Sequence, residues 1–371
     1  MTSRERVRAA LNFQPVDRAP LDVTLTLSAF EKLRALLNAC PDDRPKPNAA
    51  MEVLPPPELL TALGVDCLSA KFGGRPQLDG DMPKTIRDAW GIEYALVSQQ
   101  EGRYYETMSH PLAGASRRDL GGYAWPAAGP GEQAELLHDQ TEADFRNTDL
   151  ALVGRFGGPI LEIASKLLGL QEWLTRVMTD RDFIAALLDR IEPICTAYDL
   201  AAIDAAGARL SIMKVSGEDL GTQRSLLYPP EIIHEVFLPV LKRRWGAVHT
   251  ALHRVGSEAK VMLHSCGAVR SLIPDLIDAG IEVLDPVQPL ADGMSPGELH
   301  AEFGGRMVFH GGIDVQELLP HATPDEVRRE TRRVIDEFGG LSGGLIVAPS
   351  HTVQADTPPE SIVAMANAVR T

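Results

Sequence analysis

Lys260-Val261-Met262-Leu263-His264-Ser265-Cys266-Gly267 carries an apolar, β-forming run into a histidine and a cysteine two residues apart, and then into a glycine. Such residues favour a pleated strand, and the glycine lets the backbone turn at its end. Imidazole nitrogen and thiolate sulfur are ligands that zinc prefers, and at i and i+2 both can face one ion where the strand stops between them. The plainer reading is a structural pair, the cysteine a small hydrophobe and the histidine hydrogen-bonded.

Around this strand the pattern alternates strand and helix, the signature of parallel βαβ units. From Pro159 onward the predicted strands are Pro159 to Ile163, Leu210 to Val215, Lys260 to Leu263, Val283 to Leu284, Met307 to His310 and Leu345 to Ala348. Predicted helices fall between them, notably Asp180 to Ala206, Pro230 to Val255, Ala268 to Ala279 and Pro324 to Phe338. Two earlier strands, Leu21 to Leu25 and Cys67 to Phe72, bring the total to the eight of a (β/α)8 barrel. A β-rich insertion over about 85–130 follows the second strand: Thr85 to Gly91 and Tyr104 to Thr107 flank Ile92 to Val97 as in a hairpin or small meander. The proline-rich stretch Pro41 to Pro57 reads as an ordered excursion over a strand mouth. One barrel over residues 1–371 is therefore expected.

Composition narrows the function. A chain of 371 residues that is 44% hydrophobic builds an ample core, and its net charge of −15 opposes binding to nucleic acid or an anionic membrane. The first residues carry charges where a signal peptide needs an apolar centre, and no apolar run is long enough to span a bilayer, so a cytoplasmic protein is expected. Cys40, Cys67, Cys195 and Cys266 are scattered and suggest reduced thiols. Neither a dinucleotide loop nor a nucleotide-triphosphate loop is present.

In such barrels the chemistry gathers where strands end. The strand ends offer Lys71, Glu162, Glu218 with Asp219, His264 with Cys266, Asp285 with Gln288, His310 with Asp314, and Ser350 with His351. Each has a bland reading: Glu162 can cap a helix, and Asp285 before Pro286 can form a turn. Converging on one rim, these groups are costly unless paired or metal-bound.

At these residues the sequence resembles the uroporphyrinogen decarboxylase superfamily over nearly its whole length. The matching stretches are Arg4-Glu5-Arg6-Val7, Pro15-Val16-Asp17-Arg18-Ala19-Pro20, Asp88-Ala89-Trp90-Gly91, His110-Pro111-Leu112, Glu218-Asp219-Leu220-Gly221, His264-Ser265-Cys266-Gly267, Phe309-His310-Gly311-Gly312-Ile313-Asp314, and Ala348-Pro349-Ser350-His351 with Thr357-Pro358-Pro359-Glu360. The decarboxylase proper carries an Arg-x-x-Gly-Arg segment after its first strand, where this chain has Thr24-Leu25-Thr26-Leu27-Ser28-Ala29-Phe30. The corrinoid-linked methyltransferase branch carries His-x-Cys at the fifth strand, here His264 and Cys266.

That resemblance implies a zinc-dependent methyltransferase or demethylase moving a methyl group between a small thiol or aryl methyl ether and a corrinoid. It implies Zn2+ on His264 and Cys266. The family's second cysteine is matched by His351, which is either a substituted ligand or a substrate-facing histidine, and Glu218 or Glu162 is a weaker fourth ligand. Glu218, Asp285 and His310 are the expected catalytic groups, and Lys71, Glu162, Gln288 and Asp314 the expected substrate contacts. Zinc can hold a thiol as thiolate or act as a Lewis acid on a methyl donor. The chain lacks the Asp-x-His-x-x-Gly motif of corrinoid carriers, so cobalamin is expected free or on a partner protein; a homodimer is compatible with the fold. The alternatives are a metal-independent decarboxylase of a small organic or aromatic acid, using Lys71, Glu218 or His351, and an inactive barrel that binds a ligand.

Overall fold

In the computed structural model, which describes residues 1–99 and 102–370, chain order gives β1 (Leu25–Thr26), β2 (Glu52–Val53), β3 (Cys67–Ala70), β4 (Thr85–Arg87), β5 (Glu93–Gln99) and β6 (Gly102–Thr107). There follow β7 (Ala151–Arg155), β8 (Leu210–Gly217), β9 (Lys260–His264), β10 (Val283–Val287), β11 (Val308–Ile313) and β12 (Leu345–Pro349). Seven of them form one parallel sheet in the order β12-β11-β10-β9-β8-β7-β3. Helices cross between neighbours, as parallel pairing requires, among them Arg181–Ala206, Leu238–Arg254, Pro296–Phe303 and Pro324–Glu337. β10, β11 and β12 are buried along their whole length; β12 accordingly reads as a continuous apolar run, while β10 and β11 each bury one polar side chain, Asp285 and His310.

The sheet curls, and the segment at Leu21 lies between its two ends. Val347 N donates to Pro20 O at 2.8 Å, Asp22 N donates to Val347 O at 2.9 Å, and Asp66 N donates to Leu21 O at 2.8 Å. The strand expected over Leu21 to Leu25 is thus reduced to isolated parallel bridges, Leu21 to Val347 and Leu25 to Val353, while Leu25–Thr26 also pairs antiparallel with β2. Asp66, fully buried, fixes this junction: it accepts from Arg6 and Arg18 at 2.7 Å each and from Leu21 N at 2.9 Å. β4, β5 and β6 form a separate antiparallel sheet in the chain between β3 and β7.

One predicted strand is a helix. Pro159 to Ile163 begins the helix Ile160–Leu168, and the strand of that unit is β7, one step earlier. The run from Ile160 buries positions 160, 161, 163, 164, 167 and 168, a helical period that a short apolar window does not separate from a strand.

Period-two alternation places the polar groups. One apolar layer inside the sheet joins Val153, Ile212, Met262, Val283, Val308 and Ile346, and the N-terminal helix Ser3–Leu11 plugs that end with Val7 and Leu11. Two residues further along five of these six strands, on the same face, come Arg155, Lys214, His264, Asp285 and His310; on β12 the place is Ala348. A polar layer therefore sits one step above an apolar one, toward the C-terminal ends of the strands. Among the described residues no helix is long and apolar enough to cross a membrane.

The turn after β7 is held from behind by a buried ion pair. Arg244 donates to Asp199 at 2.7 Å and to Gly158 O at 2.7 Å, and Asp199 accepts from Gly157 N at 2.8 Å; Arg244 and Asp199 are both 0% exposed. Arg244→Met strands the Asp199 carboxylate, and its expected cost is about 3–5 kcal/mol in urea unfolding. A loss below about 1 kcal/mol, the scale of an exposed pair, contradicts this reading.

Candidate metal and substrate site

The polar layer is organised by one carboxylate. Asp285, at the middle of β10, accepts from Lys214 Nζ at 2.6 Å and from His264 Nδ1 at 2.8 Å through Oδ2, and from His310 Nδ1 at 2.7 Å through Oδ1. Burial alone raises a carboxyl pKa, but here Lys214, His310 and His264 outweigh it and hold Asp285 well below the usual range. His310 also meets Asp22 Oδ2 through Nε2 at 3.1 Å. With a carboxylate at each nitrogen, it is an imidazolium: burial opposes the charge, and Asp285 and Asp22 overcome it to set the pKa at about 9.

This fixes His264. An ionised carboxylate only accepts, so Nδ1 of His264 carries a proton and Nε2 is turned outward. Outward lie Asp219 and Cys266. His264 Nε2 is 3.9 Å from Asp219 Oδ1, Cys266 Sγ donates to the same oxygen at 3.4 Å, and the three donor atoms all lie within 4.8 Å of one another. Burial first, and then the Asp219 charge, push the Cys266 thiol up to about 12. A thiol so placed becomes a thiolate only when a cation offsets its surroundings. Imidazole nitrogen, sulfur and carboxylate oxygen form a donor set suited to zinc, and the carboxylate behind the histidine is the support such ligands have.

Backbone constraints hold the cluster. Gly267 has φ 89°, and a Cβ there would lie 2.6 Å from Thr222 O, so the turn after Cys266 requires glycine. Gln288 accepts from Gly267 N at 2.8 Å and ties this turn to β10. On the other side β8 is irregular between Lys214 and Gly217, with Ser216 at φ 76°.

The expected site residues divide into those that meet a cavity of about 500 Å³ and those that support it. Asp285, His264, His351 and Glu162 line it. His310 is buried and bonded to Asp285, and Cys266 belongs to the donor cluster beside His264. His351 stands edge-on to His264, with ring centroids 5.7 Å apart. It is not in the donor cluster, where Asp219 takes the third place. Desolvation, and then His264, lower its pKa.

Glu218, expected to act on substrate, is fully buried and caps a helix: its two oxygens accept from Ile160 N and Leu161 N at 2.8 Å each. Asp314 likewise accepts from Gln316, Glu317 and Leu318 N–H groups and shapes a turn. Glu162 rides on the helix Ile160–Leu168, half-exposed and paired with Lys166 at 2.6 Å. Lys71 lies just past β3, where burial lowers its pKa and Glu52 and Arg155 are its charged neighbours.

Sequence reasoning missed Lys214, Asp22, Arg155 and Glu52, and placed Asp219 only beside Glu218. The signal was present in Ile212-Met213-Lys214-Val215 and Leu152-Val153-Gly154-Arg155: a charged residue two places after an inward apolar one. The cavity walls come from distant segments, including Asn48 and Glu52 from the proline-rich excursion and Trp90, Ile92 and Tyr94 from the antiparallel sheet region.

Residues 137–371 match the model of the family described as Uroporphyrinogen decarboxylase (URO-D). A uroporphyrinogen decarboxylase of Xanthomonas oryzae pv. oryzae (strain PXO99A) is 25% identical over 391 aligned residues, spanning 100% of this chain and 99% of that protein. The methylcobamide:CoM methyltransferase MtaA of Methanosarcina barkeri is 23% identical over 217 residues, 58% of this chain and 57% of that one. Among solved structures, a methyltransferase from Methanosarcina mazei superposes with a TM-score of 0.68 at 19% identity, covering 100% of this chain and 98% of that one, which shows the shared fold.

Burial raises the Glu218 pKa from 4.5 to about 7, against the pull of its two backbone donors and Arg244. The folded chain therefore binds this proton more tightly than the unfolded chain, and its contribution to stability falls as pH rises from about 4.5 to about 7. Urea midpoints measured between pH 5 and 8 with chelator present should show that decline in the wild type and a flatter profile in Glu218→Gln. Identical slopes in the two proteins contradict the assignment.

Proposed function

Because the chain belongs to the uroporphyrinogen decarboxylase family, we propose that it moves a methyl group between a small molecule and a corrinoid, with zinc held by His264, Cys266 and Asp219. The observation that carries this reading is the three-donor cluster at the strand mouth, with an ionised Asp285 behind its histidine. Zinc bound there supplies Lewis acidity, enough to hold a thiol as thiolate or to polarise a methyl donor.

The chain's own residues supply the rest. Asp285 selects the His264 tautomer, and Lys214 and His310 keep Asp285 ionised while it does so. Asp22 keeps His310 charged from the far side. His351, at the mouth and edge-on to His264, faces the incoming molecule rather than the buried network. The methyl group's other carrier in this reading is a corrinoid, free or on a partner protein.

Decarboxylation by the same barrel is the competing reading, favoured by the full-length decarboxylase relative. Against the tetrapyrrole form of it, the place of that enzyme's arginine segment is here the start of the helix Leu27–Leu37, capped by Thr26.

Purified without added metal, the wild type should carry stoichiometric zinc, and Cys266→Ser should retain it at least about tenfold less tightly, since a hydroxyl is a poorer ligand for this ion than a thiolate. Circular dichroism should show the barrel folded in both. Mass spectrometry of methoxylated aromatics and carboxylic acids incubated with reduced cobalamin then reads the reaction. Loss of carbon dioxide without metal dependence, unchanged by Cys266→Ser, would sink the methyltransferase reading.

A further inference from the structure

The cavity contains an arginine that, among the described residues, no carboxylate holds in an ion pair. Arg155 ends β7, pairs in register with Lys214 on β8, and lines the same cavity as His264 and Asp285. Its Nε is buried without a hydrogen-bond partner, and among the described residues no carboxylate forms an ion pair with its guanidinium. The two carboxylates that its charge stabilises, Glu52 and Asp22, are hydrogen-bonded to other groups. Glu52 accepts from Thr352 Oγ1 at 2.6 Å and Asn48 Nδ2 at 3.2 Å, and Asp22 accepts from Val23 N at 2.8 Å and meets His310 at 3.1 Å. Neighbouring Lys214 differs, since its ammonium is neutralised by Asp285 at 2.6 Å.

A buried N–H left unpaired on a charged group is costly, and at Arg155, unlike Arg75 or Arg244, no carboxylate ion pair among the described residues offsets it. A guanidinium offers a planar fork of donors that matches a carboxylate two bonds at a time, which an ammonium does not. Phe156, next in sequence, and Trp90, Ile92 and Ile163 supply apolar wall in the same cavity. We propose that Arg155 is the anchor for a carboxylate on the substrate, and that the substrate is a small organic acid with a planar apolar body seated against the Phe156 and Trp90 side. This rests on the methyl-transfer reading for the reacting end of the molecule and adds what its other end must be.

The test uses the zinc-loaded full chain and two probes of the same shape, 4-methoxybenzoate and its neutral amide, 4-methoxybenzamide, titrated by calorimetry. The wild type should bind the acid at least about tenfold more tightly than the amide, the discrimination expected of a charge-assisted bidentate pair. Arg155→Met should erase that preference by weakening the acid alone, with zinc content unchanged. Arg155→Lys keeps the charge without the fork and should fall between, which also serves should the methionine variant not fold. Equal affinity for acid and amide in the wild type overturns the proposal, as does an acid preference that survives in Arg155→Met. Acid binding that depends on Arg155 while no methyl is transferred supports the anchor and counts against the methyl-transfer reading alone.

Discussion

The site depends on one buried carboxylate remaining ionised. Asp285 is 5% exposed, where an isolated carboxylate would take up a proton. Three cationic or proton-donating groups from three neighbouring strands prevent this: Lys214 from β8, His264 from β9 and His310 from β11. The arrangement is mutual, since Asp285 and Asp22 together keep His310 charged in a place that burial alone would make it neutral. Removing one member leaves its partners buried with fewer counter-charges, so the network acts as a unit rather than as a sum of pairs.

The fold supplies this coincidence through the pleat. Adjacent parallel strands in near register raise equivalent residues to one level, and side chains two apart share a face. An apolar layer at Val153, Ile212, Met262, Val283 and Val308 therefore dictates that the next inward layer is Arg155, Lys214, His264, Asp285 and His310. The apolar layer, sealed below by Val7 and Leu11, lends rigidity to charged groups that could not pack among themselves.

That regularity separates what was legible in the sequence from what was not. Strands with charged or imidazole residues at their ends were readable from composition alone, and so were the long amphipathic helices. His264, Cys266 and Asp285 followed from lying at such ends. Glu218 and Asp314 carry the same chemistry at similar positions, yet their oxygens are taken by backbone N–H groups, a distinction that depends on where the next helix begins. The strand expected at Pro159 to Ile163 failed for a related reason, as a run of apolar residues has no unique period over five positions. Arg155 ends β7, a strand expected one step later in the chain, and Lys214 stands inside β8, so only the inward register marks them.

The donor set has chemical consequences under the proposed zinc reading. A carboxylate in the third place, where the corrinoid-linked branch would have a second cysteine, keeps the ligand charge the same but replaces a soft, electron-donating sulfur with a hard oxygen. An ion so ligated stays more electron-poor, which favours drawing electron density from a bound oxygen over sustaining a strongly nucleophilic thiolate. The surroundings agree with that bias. Behind the histidine ligand the charges of Lys214 and His310 are balanced by Asp285 and Asp22, which leaves Arg155 at the cavity wall as the positive charge that opposes accumulation of negative charge near the ion. Within the proposed methyl-transfer reading, such a ligand set favours an oxygen-bearing methyl donor, and the proposed Arg155 anchor would hold that donor's anionic end away from the metal.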